Sequence, residues 1–473
     1  MLLCLFAGGA VAQQTPAQPR TLPTQLSGEW RGDLDGMIER RAIRVLVPYS
    51  RTLYFNDKGR ERGLSADFVR DFERFINRKY QKQLGKRPIT VVIRPTTRDL
   101  LLKNVVNGLG DIAAGNLTVT EDRRKMVDFV VAAGEKPTSE LVITGPKSPP
   151  ITTAEDLAGK TVHVRKASSY YESLVALNDR LRKDRKPAVK LVLVPDALED
   201  EDMMEMLNAG LLEAIVVDDW KAKMWSQVLP KIKVNEQATV RTGGQVGWAI
   251  RKGSPQLTAV IEEFYASFVK KQNLYQARLK EYFGRIKQLK DPTASADWKR
   301  FEATLALFRK YGDKYGFDPL MLAAQGYQES QLNQNAKSPV GAVGVMQLMP
   351  ATGAELKVGD ISVIEPNIHA GAKYMDQLMT RYLKDATFDE INHTLFAFAC
   401  YNAGPGNIAR MRKEAEKRGL DPNKWFSNVE LVTAEKIGME TTTYVRNIYK
   451  YYVAYKLALD VQEAQRKARA TVK

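Results

Sequence analysis

Four stretches in the last third of the chain set a reactive polar side chain among glycines and apolar residues. They are QES at 328–330, SPVGAVGVMQLMPATG at 338–353, FACYNAGPGNI at 398–408 and ETTTYVRNI at 440–448. Glu329 has the most chemistry to offer. Asp318 followed by Pro319 reads as a helix start, the carboxylate capping free N–H groups and proline filling the first turn, where its missing donor costs nothing. The helix runs on through LMLAAQGYQESQL, so Glu329 stands near the C-terminal end of a mostly apolar helix, with Ala323, Ala324 and Tyr327 close in sequence. Apolar walls disfavour the charged carboxylate, so the group holds a proton near neutrality and can deliver it to a leaving oxygen. That is the task of a glycosidic general acid. Helical pattern alone would make the same residue a surface glutamate; the three other stretches argue otherwise.

In order, and over about residues 318–455, the four stretches resemble the signature motifs of the soluble lytic transglycosylases, whose catalytic domain has a goose-type lysozyme fold. The resemblance implies that Glu329 is the catalytic residue, with Ser330 beside it. Gly344, Val345, Met346 and Gln347 would form the substrate groove, glycine letting backbone approach the sugar and Gln347 offering an amide. Tyr401 and Asn402 would line the cleft and Tyr444 would close it from behind. Cys400, where many relatives carry a small residue, reads as a packing hydrophobe.

Most glycosidases use two carboxylates. Glu440 is the only other acid within the four stretches, and it reads either as that second carboxylate or as a structural residue of the final helix. The resemblance implies a one-carboxylate solution. The muramic acid 6-hydroxyl attacks its own anomeric carbon, Glu329 serves first as acid and then as base, and peptidoglycan is left with a 1,6-anhydro end. A hydrolytic muramidase on the same fold stays open, as does a solute-binding receptor whose helical domain only anchors it to the wall.

The first half offers different chemistry. GLGDIAAGNLTVTEDRRKMVDF at 108–129, then LVITGP and a stretch ending in GQVGWAIRKGSP at 244–255, resemble the family-3 extracellular solute-binding domain, a two-lobed periplasmic clamp, over about 41–270. That likeness assigns Arg123 to a ligand's α-carboxylate, which a guanidinium fork meets bidentately, and Asp218 to its amino group. Ser168 and Ser169 in KASSYYE would present a helix N-terminus to an anion. Ala167 replaces the usual glycine before this turn, and VVAAGEKP replaces an aromatic-proline stretch, so Arg123 reads equally as an ion-pair partner. A free amino acid or a muropeptide is the effector expected. Together the two halves resemble the membrane-bound lytic transglycosylase F family.

These side chains need scaffolds to hold them. From Met37 to about residue 270, β-branched runs at 43–47, 89–93, 161–165, 190–194 and 213–217 alternate with helical stretches, which predicts an α/β domain with mostly parallel sheet. Residues 271–316 read as a helical connector, 317–460 as an all-α catalytic domain and 461–473 as a basic tail. The fold class expected is multidomain: an N-terminal α/β two-lobed periplasmic-binding-protein-like domain and a C-terminal all-α goose-lysozyme-like domain. Ahead of both, the apolar 1–12 ending in Ala-Val-Ala has the pattern of a secretory signal, and 13–36 that of a flexible leader. A periplasmic protein, attached to the outer membrane, is the expectation.

The chain carries 71 basic and 55 acidic residues, a net charge of +16 that favours a polyanion such as anionic cell-wall polymer. The basic residues are spread along the chain without interleaved aromatics, which argues against nucleic acid. His163, His369 and His393 lie far apart without ligand spacing, and neither a Walker loop nor a dinucleotide fingerprint occurs, so no metal or cofactor is expected. The basic-ended helical stretch 444–470 would lie peripherally on an anionic membrane or be solvated. Once a signal is removed only Cys400 remains, and packing alone must hold the fold.

Overall fold

The computed structural model describes residues 28–133, 136–268 and 295–471. The signal-like segment, the leader up to residue 27 and most of the expected connector lie outside the described residues. Ordered chain begins before Met37. The Trp30 N–H donates to the Gly108 carbonyl at 2.9 Å, and the buried Arg44 guanidinium donates to the carbonyls of Gly28, Trp30 and Gly108. Asp33 then caps the helix Leu34–Glu39.

The first lobe holds β1 (Ala42–Pro48), a hairpin of β2 (Phe55–Asp57) and β3 (Arg60–Arg62), β4 (Thr90–Thr96), β5 (Ile112–Thr118) and β6 (Asp128–Val131). The second holds β7 (Thr138–Thr144), β8 (Thr161–Val164), β9 (Lys190–Leu193), β10 (Ala214–Asp218) and β11 (Lys233–Gly244); β12 (Val246–Ile250) returns to the first. Every residue of β1 is buried, as a strand covered on both faces requires. The first sheet runs β4-β1-β5-β12-β6 and the second β10-β7-β11.

The expectation of mostly parallel sheet needs correcting. Among the described residues only β1–β4, β1–β5 and β8–β9 are parallel, whereas β7 pairs antiparallel with both β10 and β11, and β12 antiparallel with β5 and β6. The reason is topological. The chain enters the second lobe along β7 and leaves it along β11, and strands that carry a chain in and out of one lobe run in opposite directions.

The C-terminal domain is helical. The helix Ser295–Tyr315, which falls within the stretch expected to be a connector, belongs to its core: Phe301 and Phe308 are fully buried, and Phe301 stacks on Tyr455 at 4.1 Å. Apolar residues at helical spacing fit a connector and a core helix equally well, so the sequence pattern could not separate the two. At the other end the helix Met439–Thr471 continues through most of the stretch set apart as a tail.

The two domains meet through buried charge. In the helix Asp200–Asn208, Asp200, Glu201, Asp202 and Glu205 are all at most 2% exposed. Glu201 accepts from Ser50 and Thr52 of the first lobe. Asp202 faces Arg51, Arg446 and Lys450 at 3.3, 3.3 and 2.9 Å, and Glu205 faces Arg51 and Lys450 at 2.9 and 2.7 Å. Burial alone would raise the Asp202 carboxyl, but Lys450, Arg446 and Arg51 outweigh it and hold the group well below the usual carboxylate range. Arg446 also pairs with the fully buried Glu430 at 2.6 Å. The β2–β3 hairpin adds a neutral contact, Lys58 N–H donating to the Ala434 carbonyl at 3.0 Å.

Replacing Arg446 with alanine strands Glu430 without its cation, and losing one member of a buried pair costs about 3–5 kcal/mol. In urea titrations followed by circular dichroism, Arg446→Ala should lower stability by that amount, while the exposed Lys299→Ala should change it by less than about 0.5 kcal/mol. Equal stability of the two variants would show that the interdomain network carries no weight.

Candidate active site

Asp318 Oδ1 accepts the Leu320 and Met321 N–H groups at 2.7 and 3.2 Å, and Pro319 opens the helix Pro319–Ser330 as expected. Met321 through Tyr327 are buried, so the last turn carries Glu329 to the edge of the core. The helix stops at Gln331 and Leu332, both left-handed with φ of 56° and 59°. Ser330 serves this joint: its hydroxyl donates to the carbonyls of Gly326 at 3.1 Å and Val345 at 2.9 Å. Gly326 allows the following loop to pack directly on the helix, since a Cβ there would stand 2.9 Å from Val345.

The Tyr444 hydroxyl donates to Glu329 Oε1 at 2.5 Å, and the Gln325 amide stands 3.4 Å behind that hydroxyl. Burial pushes the Glu329 carboxyl up to about 7, and the Tyr444 hydrogen bond, which favours the charged form, keeps it from rising further. Neither a cation nor a second carboxylate contributes. Burial, reinforced by the nearby Glu329 charge, raises the Tyr401 and Tyr444 phenols well above their ordinary value, so both stay neutral. A carboxyl poised near neutrality beside neutral donors can give up a proton and take one back.

The loop after Glu329 is anchored rather than presented. Gly344 has φ +82°, and a Cβ there would fall 2.2 Å from Asn367 Nδ2. Asn367, fully buried, accepts the Met346 N–H at 2.8 Å and donates to the carbonyls of Val343 and Ile361 at 3.1 and 2.9 Å. Val345 and Met346 are themselves 0% exposed and Gly344 is buried, so these three support the groove from beneath instead of lining it. The apolar side chains gain more by turning into the core than by facing a wet cleft. Gln347 is half-buried, and its amide nitrogen is spent on the carbonyls of Ala336 and Gly344.

Tyr401 donates to the Met346 carbonyl at 2.6 Å, tying the YNAG segment to this loop. Asn402 is exposed and accepts from Thr441 at 2.8 Å, tying it to the last helix. Glu440 is exposed in the first turn of that helix and makes no bond to Glu329. Cys400 is buried, and burial pushes its thiol up to about 12, which suits packing and not chemistry. Two participants escaped the sequence reading. Gln325 lies four residues before Glu329, on the same helical face, which was a usable signal; it is fully buried, with Oε1 unpartnered. Asn367 stands in an ordinary amphipathic helix and gave none.

In the first domain the expected effector residues gather at a cleft of about 560 Å3 between the lobes. Arg123, Ser168 and Ser169 line it together with Asn116, Arg165 and Lys221. Ser168 caps the helix Ser169–Lys183, and Ser169 bonds to Thr118 across the cleft at 3.2 Å. Asp218 joins through Asn116 and Lys221, at 2.7 and 3.2 Å. Arg123 is buried and engaged, with Glu172 at 3.2 Å and the Thr118 carbonyl at 3.1 Å. Arg98, Asn116, Arg165, Asp200 and Lys221 complete the polar wall, none of them legible beforehand. Among the described residues no cluster of histidine, cysteine or acid side chains has the arrangement to hold a metal ion.

Comparison with known proteins agrees with the two-domain architecture. A model of bacterial extracellular solute-binding proteins, family 3, matches residues 43–285, and one of the transglycosylase SLT domain matches 306–423. Proteins named membrane-bound lytic murein transglycosylase F align along nearly the whole chain. The one from Desulfosudis oleivorans is 27% identical over 87% of this chain and 89% of its own, and the one from Ectopseudomonas mendocina 29% identical over 87% and 83%. An ancestral arginine-binding protein bound to arginine overlies 52% of this chain and 98% of its own at 23% identity, with a TM-score of 0.39, a likeness too slight to add to the family matches. The chain belongs to the membrane-bound lytic murein transglycosylase F-like proteins, a family-3 solute-binding domain followed by a transglycosylase SLT domain. Its enzyme class is that of the peptidoglycan lytic transglycosylases.

Tyr444→Phe removes the donor but leaves the burial, so the Glu329 pKa should rise from about 7. The alkaline limb of the kcat/KM profile, which reports loss of the acid, should therefore move to higher pH, with kcat lowered about 10- to 100-fold. A limb that stays put would mean that Tyr444 does not bond the ionised carboxylate.

Proposed function

We propose that this lytic transglycosylase cleaves the β-1,4 bond between N-acetylmuramic acid and N-acetylglucosamine and leaves a 1,6-anhydro-muramic end, with Glu329 making both proton transfers. The observation that carries this is the half-buried Glu329 carboxyl, pushed up to about 7 by desolvation and bonded by Tyr444, with no second carboxylate among the causes of its shift. Protonated Glu329 gives its proton to the glycosidic oxygen as the C1–O bond breaks. The resulting carboxylate then takes the proton of the muramic 6-hydroxyl, whose oxygen bonds to C1. No water is consumed, and Glu329 ends protonated as it began. Tyr444, held on Oε1, orients the carboxyl, while Ser330, Gln347, Tyr401 and Asn402 form the surface offered to the strand.

Purified sacculi digested with wild type and with Glu329→Gln test the reading. Mass spectrometry should find anhydro-muropeptides from wild type and a loss of about a thousandfold or more in the variant. Products heavier by one water would instead establish hydrolysis, and a fully active variant would remove Glu329 from the mechanism.

The first domain we read as a sensor for an amino acid or muropeptide, taken by Arg123, Ser168, Ser169 and Asp218. Its coupling to the active site is supported by the helix Asp200–Asn208. Asp200 pairs with Arg165 and Lys221 at the cleft, whereas Asp202 and Glu205 hold Arg446 and Lys450 on the helix that carries Tyr444. Clamp closure around an effector would thus bear on Tyr444. Adding amino acids or muropeptides should shift both the thermal midpoint and the rate of anhydro-muropeptide release; if neither moves, the sensor reading fails. Among the described residues no helix is long and apolar enough to cross a membrane. A periplasmic enzyme held peripherally at a membrane is the location this reading favours.

A further inference from the structure

A second groove, of about 620 Å3, opens between the helix Pro405–Lys417 and the end of the helix Glu430–Lys436. Arg410, Lys413 and Lys417 stand along it at helical spacing, all three exposed. The acid beside them, Glu414, is committed to Arg418 at 2.8 Å, and Glu435, which reaches Lys436 at 3.2 Å, is also held by Arg418 at 2.6 Å. Among the described residues, Arg410, Lys413 and Lys417 have no carboxylate partner. Like charges at this spacing repel. An anionic ligand would supply the countercharge and relieve that repulsion.

The groove adjoins, along the chain, residues expected to line the catalytic cleft. Its helix follows directly on the YNAG segment, with Asn407 of the groove donating to the Ala403 carbonyl at 2.8 Å. On the opposite wall Ile437 lies four residues before Thr441, the residue bonded to Asn402. A glycan strand lying across Asn402 would carry its substituents toward Arg410. In peptidoglycan those substituents are short peptides on the muramic lactyl group, and they bear free carboxylates. We infer that this groove takes the stem-peptide carboxylates of a muramic unit beside the one being cleaved, so that the enzyme prefers peptide-bearing strands to bare glycan. The inference rests on the cleavage reading above.

The test compares wild type, Glu329→Gln and the triple variant Arg410→Ala/Lys413→Ala/Lys417→Ala on two substrates, intact sacculi and the same glycan stripped of stems by an amidase. On intact sacculi the triple variant should raise KM about tenfold with kcat within about twofold, as loss of several exposed ion pairs predicts. On stripped glycan it should match wild type, which itself loses about the same factor. Lys413→Arg/Lys417→Arg should keep the wild-type KM on both. Equal loss on both substrates, or loss on neither, overturns the inference. So does binding of Glu329→Gln to phosphatidylglycerol vesicles that the three alanines abolish, since the groove would then serve a membrane. If Glu329→Gln still cleaves, the catalytic assignment fails while the substrate comparison still decides the groove.

Discussion

Glu329 keeps a proton near neutrality because its carboxyl is largely desolvated, and the helix Met439–Thr471 brings Tyr444 onto it. Tyr444 from its second turn bonds the carboxyl. Two turns further on, Tyr451 meets Tyr327 edge-on at 4.8 Å, and Tyr455 stacks on Phe301. Aromatic contacts of this kind contribute about 0.5–1.5 kcal/mol beyond the area they bury, and here they also set the height at which the tyrosine hydroxyl meets the acid. Moving this one helix would change the acidity of Glu329, because it carries the tyrosine that bonds the carboxyl.

The same helix is gripped from the other domain. Arg446 and Lys450 reach a row of buried acids on the helix Asp200–Asn208. A buried ion pair returns little net stability, because desolvation consumes most of the attraction, yet breaking one is expensive. Such a contact favours one geometry over its neighbours more than it favours folding. That suits a junction meant to hold two domains in register, since apolar surfaces of similar area would tolerate sliding.

The cleft between the lobes of the first domain shows the same economy of charge. Asp200 answers Arg165 and Lys221, and Glu172 answers Arg123, so the charged groups of the cleft are largely paired before any ligand enters, although Arg165 Nε and Asp218 Oδ1 are buried without a hydrogen-bond partner. A ligand that engages the paired groups there must exchange partners and not merely add them. Its affinity then measures the difference between two sets of bonds, and differences of that kind are what shift a conformational equilibrium.

Local chemistry made much of this molecule legible in advance. The Asp318–Pro319 start could be read because a cap depends on neighbours only three residues away, and the β-branched runs marked their strands for the same reason. Glu329 emerged from four short motifs in order. Long-range burial was not legible. DEDMMEMLN has the composition of a solvated helix, and nothing within it announces that all nine residues are buried, its acids against cations as far off as Lys450. Val345 and Met346 were expected in the groove and lie under it, held by an asparagine twenty-one residues beyond Met346. The chain alone determined which groups could do chemistry and on what elements. Only the tertiary structure decided which of them lost their water, because desolvation depends on every surface that closes over a group and not on the residues beside it in sequence.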